Sequence, residues 1–463
     1  MCRRVTSLCC KCRTTVKPLF NLIMVMYFCS IGETRAQGDT TRLTSLENTI
    51  AAAVKNNPTQ EIYLRQITQA SLNYKAAQGF LYPNASLGFN GTDNLSLPTT
   101  PIPGVILGRP GEIIYAKFGK HYVYNTGVSL SQDVISWTSV LEMRLARSNI
   151  ELTHLQRMAF LQSLREQVAR LYFSALIAKR ALQIDAHDRQ LADSVVALSQ
   201  QKLLQGATDR ISVNLAAINS NSIAQNQAQS QQLLDQSIEN LKILLGGKPT
   251  GEIVVADSLK GFAGGDSAMA APGMPGEAPA ALGANRHLVV YRQQQDMAGM
   301  QSRSQRSQAY PTITATGFFG DQQFRDDFSL AFGNNAWSAY NYVALNITIP
   351  LFTGLTNTYK YRSALMQKDI ADLQMKKAVE ESAINDRLLL KNYAGYWQML
   401  QASAASFQLY GQNVRLDQQK YSEGLLSLDV YMKAFEDYLT AENTYLNNLS
   451  QLLSIKATII SRQ

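Results

Sequence analysis

Cysteine is absent from most of this 463-residue sequence, because all five cysteines lie at or before position 29. They share a segment with a basic start, an apolar core from Leu19 to Ile31 and a Thr34-Arg35-Ala36 ending. Such a segment is typical of a secretory signal peptide, here residues 1–36, and an N-terminal membrane anchor is the alternative. Phe28 does not fit the small residue that a lipoprotein signal places before its cysteine. The chain after Ala36 then has neither a disulfide framework nor thiol chemistry.

Long apolar runs are also lacking after Ile31, where none approaches the ~20 residues that a membrane-spanning helix needs. If the chain after the leader crosses a membrane, it must therefore do so with strands. The formal net charge of +8 comes mostly from the leader, which holds six Lys or Arg residues against Glu33 alone. The rest of the chain is close to neutral, which argues against nucleic acid as a partner.

Patterns that carry catalysis are missing as well. None of the four histidines has a metal-type partner at a useful spacing; they are His121, His154, His187 and His287. The sequence shows no nucleophile elbow, no glycine loop for phosphate and no paired-carboxylate arrangement beyond ordinary helix-surface charges. It therefore predicts a protein that is not an enzyme, with no catalytic residue, no cofactor and no metal site.

The most informative stretch that is present runs from Asn341 to Leu355. Apolar residues at 343, 345, 347, 349 and 351 alternate with small or polar residues, which predicts a strand with one apolar and one polar face. Pro350 has no N–H to give to a sheet, so the strand should end there. After Thr353-Gly354 the pattern becomes helical and stays so for about 70 residues. A two-faced strand that leads into such a long helix suggests contact with lipid, followed by a wide aqueous gap.

The chain contains two similar halves. Asn57, Tyr63 and Tyr82-Pro83 recur at one constant offset as Asn285, Tyr291 and Tyr310-Pro311. Further along, Gln200-Gln201-Lys202 with Gly206 recurs as Gln418-Gln419-Lys420 with Gly424. Because the matches occur in the same order in both halves, they indicate an internal two-fold repeat.

Each half is predicted to contain a helix, two strands, a very long helix, a turn and a return helix. In the first half, residues 37–245, we expect strands near 84–92 and 121–134 and a long helix over 139–205. In the second half, residues 284–463, we expect strands near 311–320 and 340–352 and a long helix over 355–423. Residues 246–283 form a Gly/Ala/Pro-rich linker, and Leu97 to Gly119 read as a Pro/Gly-rich loop. The expected junctions between helix and strand are Pro83, Pro311, Pro350 and Gly354.

Four strands per chain cannot close a barrel, and an open sheet edge in hydrocarbon leaves backbone groups unsatisfied at several kcal/mol each. If the strands span a membrane, several copies of the chain must therefore combine them. The long helices carry apolar residues at steps of three and four, which predicts helix–helix packing. Their other faces are rich in Gln, Asn and Ser, which fits either a solvated coiled-coil exterior or the lining of a water-filled lumen.

The order of these features resembles the outer membrane efflux protein family, the TolC-like channels. The residues that carry the resemblance are LENTIAAAVKNNP from Leu46, the two Tyr-Pro junctions, ITIPLFTG from Ile347 and KYSEGLLSLDVYMKA from Lys420. The resemblance implies a mixed α+β membrane protein that forms a homotrimer. Its twelve-stranded outer-membrane β-barrel, with four strands per chain, would continue into a long periplasmic α-helical barrel. The linker at 246–283 would then belong to the belt around that helical barrel.

The resemblance also implies a function. The protein would be a passive exit duct in the outer membrane, part of a tripartite efflux or type I secretion system. Its partners would be outer-membrane lipid, a periplasmic adaptor (membrane fusion) protein and an inner-membrane pump of the RND or ABC type. The adaptor would dock near the helix ends at Gly206 and Gly424. The alternatives are a secreted trimeric coiled-coil adhesin or stalk with a small β-anchor, and a soluble periplasmic scaffold.

The family closes its pore near the glycine of a Tyr-x-x-Gly motif, which is Tyr421 to Gly424 in this sequence. The resemblance implies acidic residues six and nine positions after this glycine, but the sequence has Val430 and Lys433 there, and the nearest acid is Asp429. Asp429 is therefore expected either at the constriction or as the N-cap of the next helix. The expected gate residues at the tip are Gly206, Asp209, Tyr421, Gly424, Asp429 and Lys433.

Overall fold

The computed structural model describes residues 41–247, 253–257, 259, 282–330, 332–333 and 336–462. The predicted leader, all five cysteines and most of the linker lie outside the described residues. The described part contains seven α-helices and eight strands, in the following order. They are β1 (Thr41–Leu43), α1 (Leu46–Asn56), α2 (Pro58–Ala77), β2 (Asn84–Asp93), β3 (Thr99–Pro103), β4 (Ile113–Lys117), β5 (Tyr122–Ile135), α3 (Trp137–Leu204), α4 (Arg210–Leu244), β6 (Ile253–Val255), α5 (Arg286–Ser307), β7 (Thr312–Arg325), β8 (Ser338–Thr348), α6 (Thr356–Ser422) and α7 (Leu428–Ser461).

The main sheet takes two strands from each half of the repeat. Its order is β2-β5-β7-β8, and every neighbouring pair is antiparallel. β7 runs to Arg325, five residues past the predicted end, and β8 stops at Thr348 instead of 352. The early end of β8 follows from Pro350, which cannot donate to a ladder. Within the chain, β2 and β8 are edge strands, and each has one row of backbone groups without a partner strand.

The strand register gives the sheet two different faces. Cross-strand partners point to the same side, so each row of the ladder lies on one face. One face carries apolar rows, and two of these are Ala85, Leu130, Gly317, Val343 and Leu87, Val128, Phe319, Asn341. The opposite face carries rows such as Asn84, Ser131, Thr316, Ala344. The alternation predicted for one strand therefore extends across all four.

The predicted loop from Leu97 to Gly119 is in fact a small antiparallel ribbon made of β3 and β4. Its register pairs Thr99 with Lys117 and Pro101 with Tyr115. Prolines are tolerated because both members of a two-stranded ribbon are edge strands, where a missing N–H breaks no interior ladder. The prediction gave too much weight to proline and too little to the β-branched residues around it.

The two longest helices are α3, with 68 residues, and α6, with 67 residues. At 1.5 Å per residue each is roughly 100 Å long. The helices α4 and α7 return along them, and α3 also packs against α7, which gives the order α4-α3-α7-α6. The apolar spacing predicted for the long helices is seen in α3, where Leu164, Val168 and Ala175 are buried. No helix in the described part of the chain has the length and hydropathy of a membrane span.

The largest core cluster surrounds the middle of α3. Tyr172 and Phe173 are fully buried there against Leu241 of α4 and Leu452 of α7. The strand β1 pairs in parallel with β6, where Thr41 faces Ile253, and this pair packs on the same core. Neither strand was predicted, since residues 246–283 were expected to form a linker.

Candidate functional site at the helix tips

The long helices reverse direction at two equivalent glycines. Gly206 has φ +70° and Gly424 has φ +79°, a left-handed conformation that glycine adopts without strain. The N–H of Ala207 donates to the Lys202 carbonyl at 2.8 Å, and the N–H of Leu425 donates to the Lys420 carbonyl at 2.9 Å. These bonds form the Schellman motif that ends a helix. Both halves of the repeat therefore reverse direction through the same type of turn.

Asp209 begins the return helix α4. Its carboxylate accepts a hydrogen bond from the N–H of Ser212 at 2.8 Å and is the N-cap of the helix. Hydrogen bonds from the Ser212 side chain and then its backbone hold the pKa of Asp209 below the usual range. This residue therefore stabilises the turn after Gly206.

Asp429 is not the N-cap of α7, because that position belongs to Ser427. Asp429 lies in the first turn of α7, where a negative charge is favoured by the helix dipole. A hydrogen bond from the Ser427 side chain lowers its pKa. Asp429 and Lys433 are both exposed.

Tyr421 connects the end of α6 to α3. It is 3% exposed, and its hydroxyl lies 2.8 Å from the Ser199 hydroxyl. The Lys202 ammonium donates to the Tyr421 carbonyl and lies 4.1 Å from the centre of the tyrosine ring, a cation–π contact. The ring also stacks on Tyr431 of α7 at 6.0 Å. One side chain therefore joins both helix pairs at the tip.

Sequence reasoning singled out Tyr421 but missed Ser199 and Tyr431 as its partners. Lys202 belonged to a repeated tripeptide, yet nothing in the sequence indicated that it reaches the opposite half. A further bond missed in the same way runs from the Gln418 side-chain amide to the Ser194 hydroxyl, at 3.1 Å.

Above the tip, three acidic residues are buried between α3 and α7. Asp188 is 1% exposed and Glu442 4%, and Asp185 lies beside them. The Tyr438 hydroxyl donates to Asp188 at 3.2 Å, and Glu442 is hydrogen-bonded to the same carboxylate. One oxygen each of Asp185 and Asp188 has no hydrogen-bond partner. This cluster was not predicted, because the sequence does not show that Asp185 and Asp188 of α3 pack against Glu442 of α7.

Burial controls the protonation of this acidic cluster. Burial, followed by the charges of Asp188 and Asp185, raises the pKa of Glu442 to about 9. Burial likewise raises the pKa of Asp188 to about 6 and that of Asp185 above its usual value. Burial therefore favours the protonated form of Glu442, beside Asp188, over its charged form. The groups of the described chain that face the cluster are His187, Arg180, Arg415, Tyr431 and Tyr438.

The predicted junction residues lie between helix and sheet. Pro83 and Pro311 directly precede β2 and β7. Pro350 follows β8, and Gly354 and Leu355 both have positive φ just before α6 begins. Leucine rarely adopts a left-handed backbone, so the chain makes a sharp, defined turn between β8 and α6 and not a flexible linker. Among the described residues, no group of three His, Asp or Glu side chains could hold a metal ion.

Both the sequence and the fold are similar to those of known proteins. The sequence model of the outer membrane efflux protein family matches residues 50–247 and 278–461, one stretch in each half. A structure of CusC is similar at a TM-score of 0.71 with 17% identity over 90% of both chains. No curated protein sequence matches the chain.

Two further solved structures agree with this similarity. The CmeC outer membrane channel of Campylobacter jejuni has a TM-score of 0.71 with 18% identity, over 90% of this chain and 85% of that one. The open state of the MtrE outer membrane channel of Neisseria gonorrhoeae has a TM-score of 0.70 with 16% identity, over 92% and 94%. The fold, four strands and a pair of long helical hairpins per chain, is therefore shared with outer-membrane channels.

Proposed function

Because the chain belongs to the outer membrane efflux protein family, a family of channels and not of enzymes, we propose that it is the exit duct of a tripartite efflux or type I secretion system. It is an outer-membrane protein with a long periplasmic helical part. The observation that carries the proposal is the main sheet. It has one apolar face for lipid, one polar face for water, and two open edges that a single chain cannot satisfy.

The helical part supports closure by further copies of the chain. In the repeat, α2 is the counterpart of α5, and α5 packs against both α3 and α6. The helix α2 packs mainly against α3, so Ile62 and Leu72 on it are exposed. Exposed apolar residues also lie along α6, such as Ile370 and Leu373. A neighbouring copy that places its α6 beside α2 covers both surfaces, and three copies give the twelve strands of the family barrel.

We further propose that the helix tips are where a periplasmic adaptor docks. Leu204, two residues before Gly206, and Leu425, directly after Gly424, are 90% and 73% exposed. An apolar side chain at such a position is covered most easily by another protein. The adaptor would connect the duct to an inner-membrane pump of the RND or ABC type, which supplies the energy. A gate at Tyr421 would keep the tip closed until the adaptor engages.

Disulfide trapping tests the assembly. No cysteine occurs after position 29, so introduced cysteines are unique in the chain after Ala36. We expect Ser86→Cys on edge strand β2, combined with a cysteine at 340, 342 or 344 on edge strand β8, to give disulfide-linked dimers and trimers on a non-reducing gel. The control replaces Ser86→Cys by Ser129→Cys on the interior strand β5, which has partners on both sides. Monomers from every edge pair would contradict the closed ring and favour a stalk or scaffold.

A further inference from the structure

Three aromatic rings lie together on the polar face of the main sheet. Phe318 and Tyr342 are cross-strand partners, and Tyr340 is on the next row of the same face. The ring centres are 5.8 Å apart for Phe318 and Tyr340, 6.1 Å for Phe318 and Tyr342, and 5.6 Å for the two tyrosines. In the closed barrel this face borders the water-filled lumen, so the rings lie inside the pore and not at the lipid surface where aromatic residues usually concentrate.

A row of glycines makes room for these rings. Gly88, Gly127 and Gly320 are cross-strand neighbours, and the row ends at Tyr340. A Cβ atom added to Gly127 would come within 2.8 Å of the Phe318 ring, so the ring lies directly over the glycine backbone. Phe318 therefore has a structural role, which is to cover the glycine backbone of the sheet. Tyr340 and Tyr342 are 44% and 45% exposed, so packing of this kind does not explain why they are aromatic.

The charge on this face has one sign. On the polar side of the four described strands, Asp133 is the one charged residue, and no Lys or Arg shares that side. The Thr314 hydroxyl donates to Asp133 at 3.0 Å, which fixes the carboxylate on the pore face. Asp133 lies on the row of Asn346, four residues from Tyr342 along the strand, or roughly 13 Å.

We infer that Phe318, Tyr340 and Tyr342 form a cargo-contact site in the lumen of the barrel that favours organic cations with an aromatic body. The inference rests on the proposed function as a duct. The faces of aromatic rings attract cations, and a second aromatic ring stacks on them. Asp133 adds attraction for a positive charge and repels an anion. Contact is weak at each ring, and a path for export needs sites that release their cargo as readily as they bind it.

Small ions of matched shape test the site in planar bilayers that contain the purified assembled protein. The probes are benzyltrimethylammonium, tetramethylammonium, benzenesulfonate and benzyl alcohol, which separate the ring from the charge. We expect benzyltrimethylammonium to block the potassium chloride current at the lowest concentration. Its advantage over tetramethylammonium and over benzenesulfonate should each be about three- to fivefold, the size of an exposed cation–π contact.

Variants assign the effect to the named residues. Tyr340→Ser with Tyr342→Ser should remove most of the advantage over tetramethylammonium, and Asp133→Asn, which can still accept from Thr314, should reduce the advantage over benzenesulfonate about twofold. Phe319→Leu, next to Phe318 on the opposite face, is the matched control and should change neither. If the serine variant does not assemble, Tyr340→Leu with Tyr342→Leu keeps the apolar bulk without the ring electrons.

The outcomes separate this site from the duct itself. Normal potassium chloride currents with equal block by all four probes, or a benzyltrimethylammonium advantage that survives the tyrosine substitutions, overturn the aromatic site and leave the duct intact. A purified protein that conducts no current overturns the duct and, with it, this inference. Stronger block by benzyl alcohol than by the cation also contradicts the site, because it would show apolar binding without charge preference.

Discussion

The hydroxyl groups of Ser199 and Tyr421 lie 2.8 Å apart in the buried interior of the helix tip. Ser199 belongs to the first half of the repeat and Tyr421 to the second. This hydrogen bond therefore joins the two halves at the ends of the long helices that lie farthest from the sheet. Lys202 strengthens the connection through the Tyr421 carbonyl. We propose that this contact acts as a gate, because separating the two helix pairs at the tip would break it.

Removing the Tyr421 hydroxyl should favour the open tip. We expect Tyr421→Phe to reduce the stability of the closed tip relative to the open tip by about 1 kcal/mol, a typical net contribution of one hydrogen bond. The open fraction should then rise up to about fivefold. The measurement is the open probability of single channels in planar bilayers. Tyr410→Phe, which changes an exposed tyrosine on the same helix, is the control. Equal open probability in Tyr421→Phe and the unmodified protein would remove Tyr421 from the gate.

Asp429 and Lys433 offer a second test at the tip. We propose that the three exposed Asp429 carboxylates of a trimer border the pore at the tip, where they would attract multivalent cations. We expect Asp429→Ala to weaken block of the pore by a trivalent cation such as hexaamminecobalt, and Lys433→Met to strengthen it, each about two- to threefold. Unchanged block in Asp429→Ala would limit this residue to the stabilisation of the α7 start through the helix dipole.

The buried acids predict a stability that depends on pH. Burial raises the pKa of Glu442 from 4.5 to about 9 and that of Asp188 from 3.8 to about 6. The folded chain therefore holds protons that the unfolded chain releases, and stability should fall as pH rises from about 4 towards 9. The nearby charges of Arg180, Arg415 and His187 oppose this effect, but burial outweighs them.

Thermal unfolding followed by circular dichroism measures this dependence. We expect the melting temperature to be lower at pH 8.5 than at pH 5.5. Glu442→Gln, which can still donate to Asp188, should reduce that difference and melt higher than the unmodified protein at pH 8.5. Glu436→Gln, on the exposed face of the same helix, should leave the difference unchanged. A melting temperature that rises with pH would show that these acids are charged in the folded protein.

Two glycines of α6 and its turn should respond in opposite directions to alanine. Gly424 has φ +79°, so Gly424→Ala forces a left-handed alanine and should destabilise the fold by about 1 kcal/mol. Gly395 lies inside α6, and a Cβ there meets nothing within 4 Å, so Gly395→Ala should stabilise by about 0.5–1 kcal/mol. Denaturant unfolding of both variants measures the difference. The same sign in both would show that helix propensity does not govern these positions.

The sequence revealed the features that depend on local chemistry. Period-two alternation marked β8, and the glycines at 206 and 424 marked the turns because both need a left-handed backbone. Features that depend on distant partners were missed. The strand β1 has three residues and pairs with β6, about 210 residues further along the chain. The pairing of Ser199 with Tyr421, and the burial of Asp188 against Glu442, arise where helices from the two halves meet.

The current through the purified protein in a planar lipid bilayer shows most directly whether this chain forms a water-filled duct through the outer membrane. We expect discrete steps of ion current of one unit size from the assembled trimer, with a larger open fraction in Tyr421→Phe. A correctly folded trimer that inserts into the bilayer and carries no current, with or without that substitution, would show that the chain does not form such a duct.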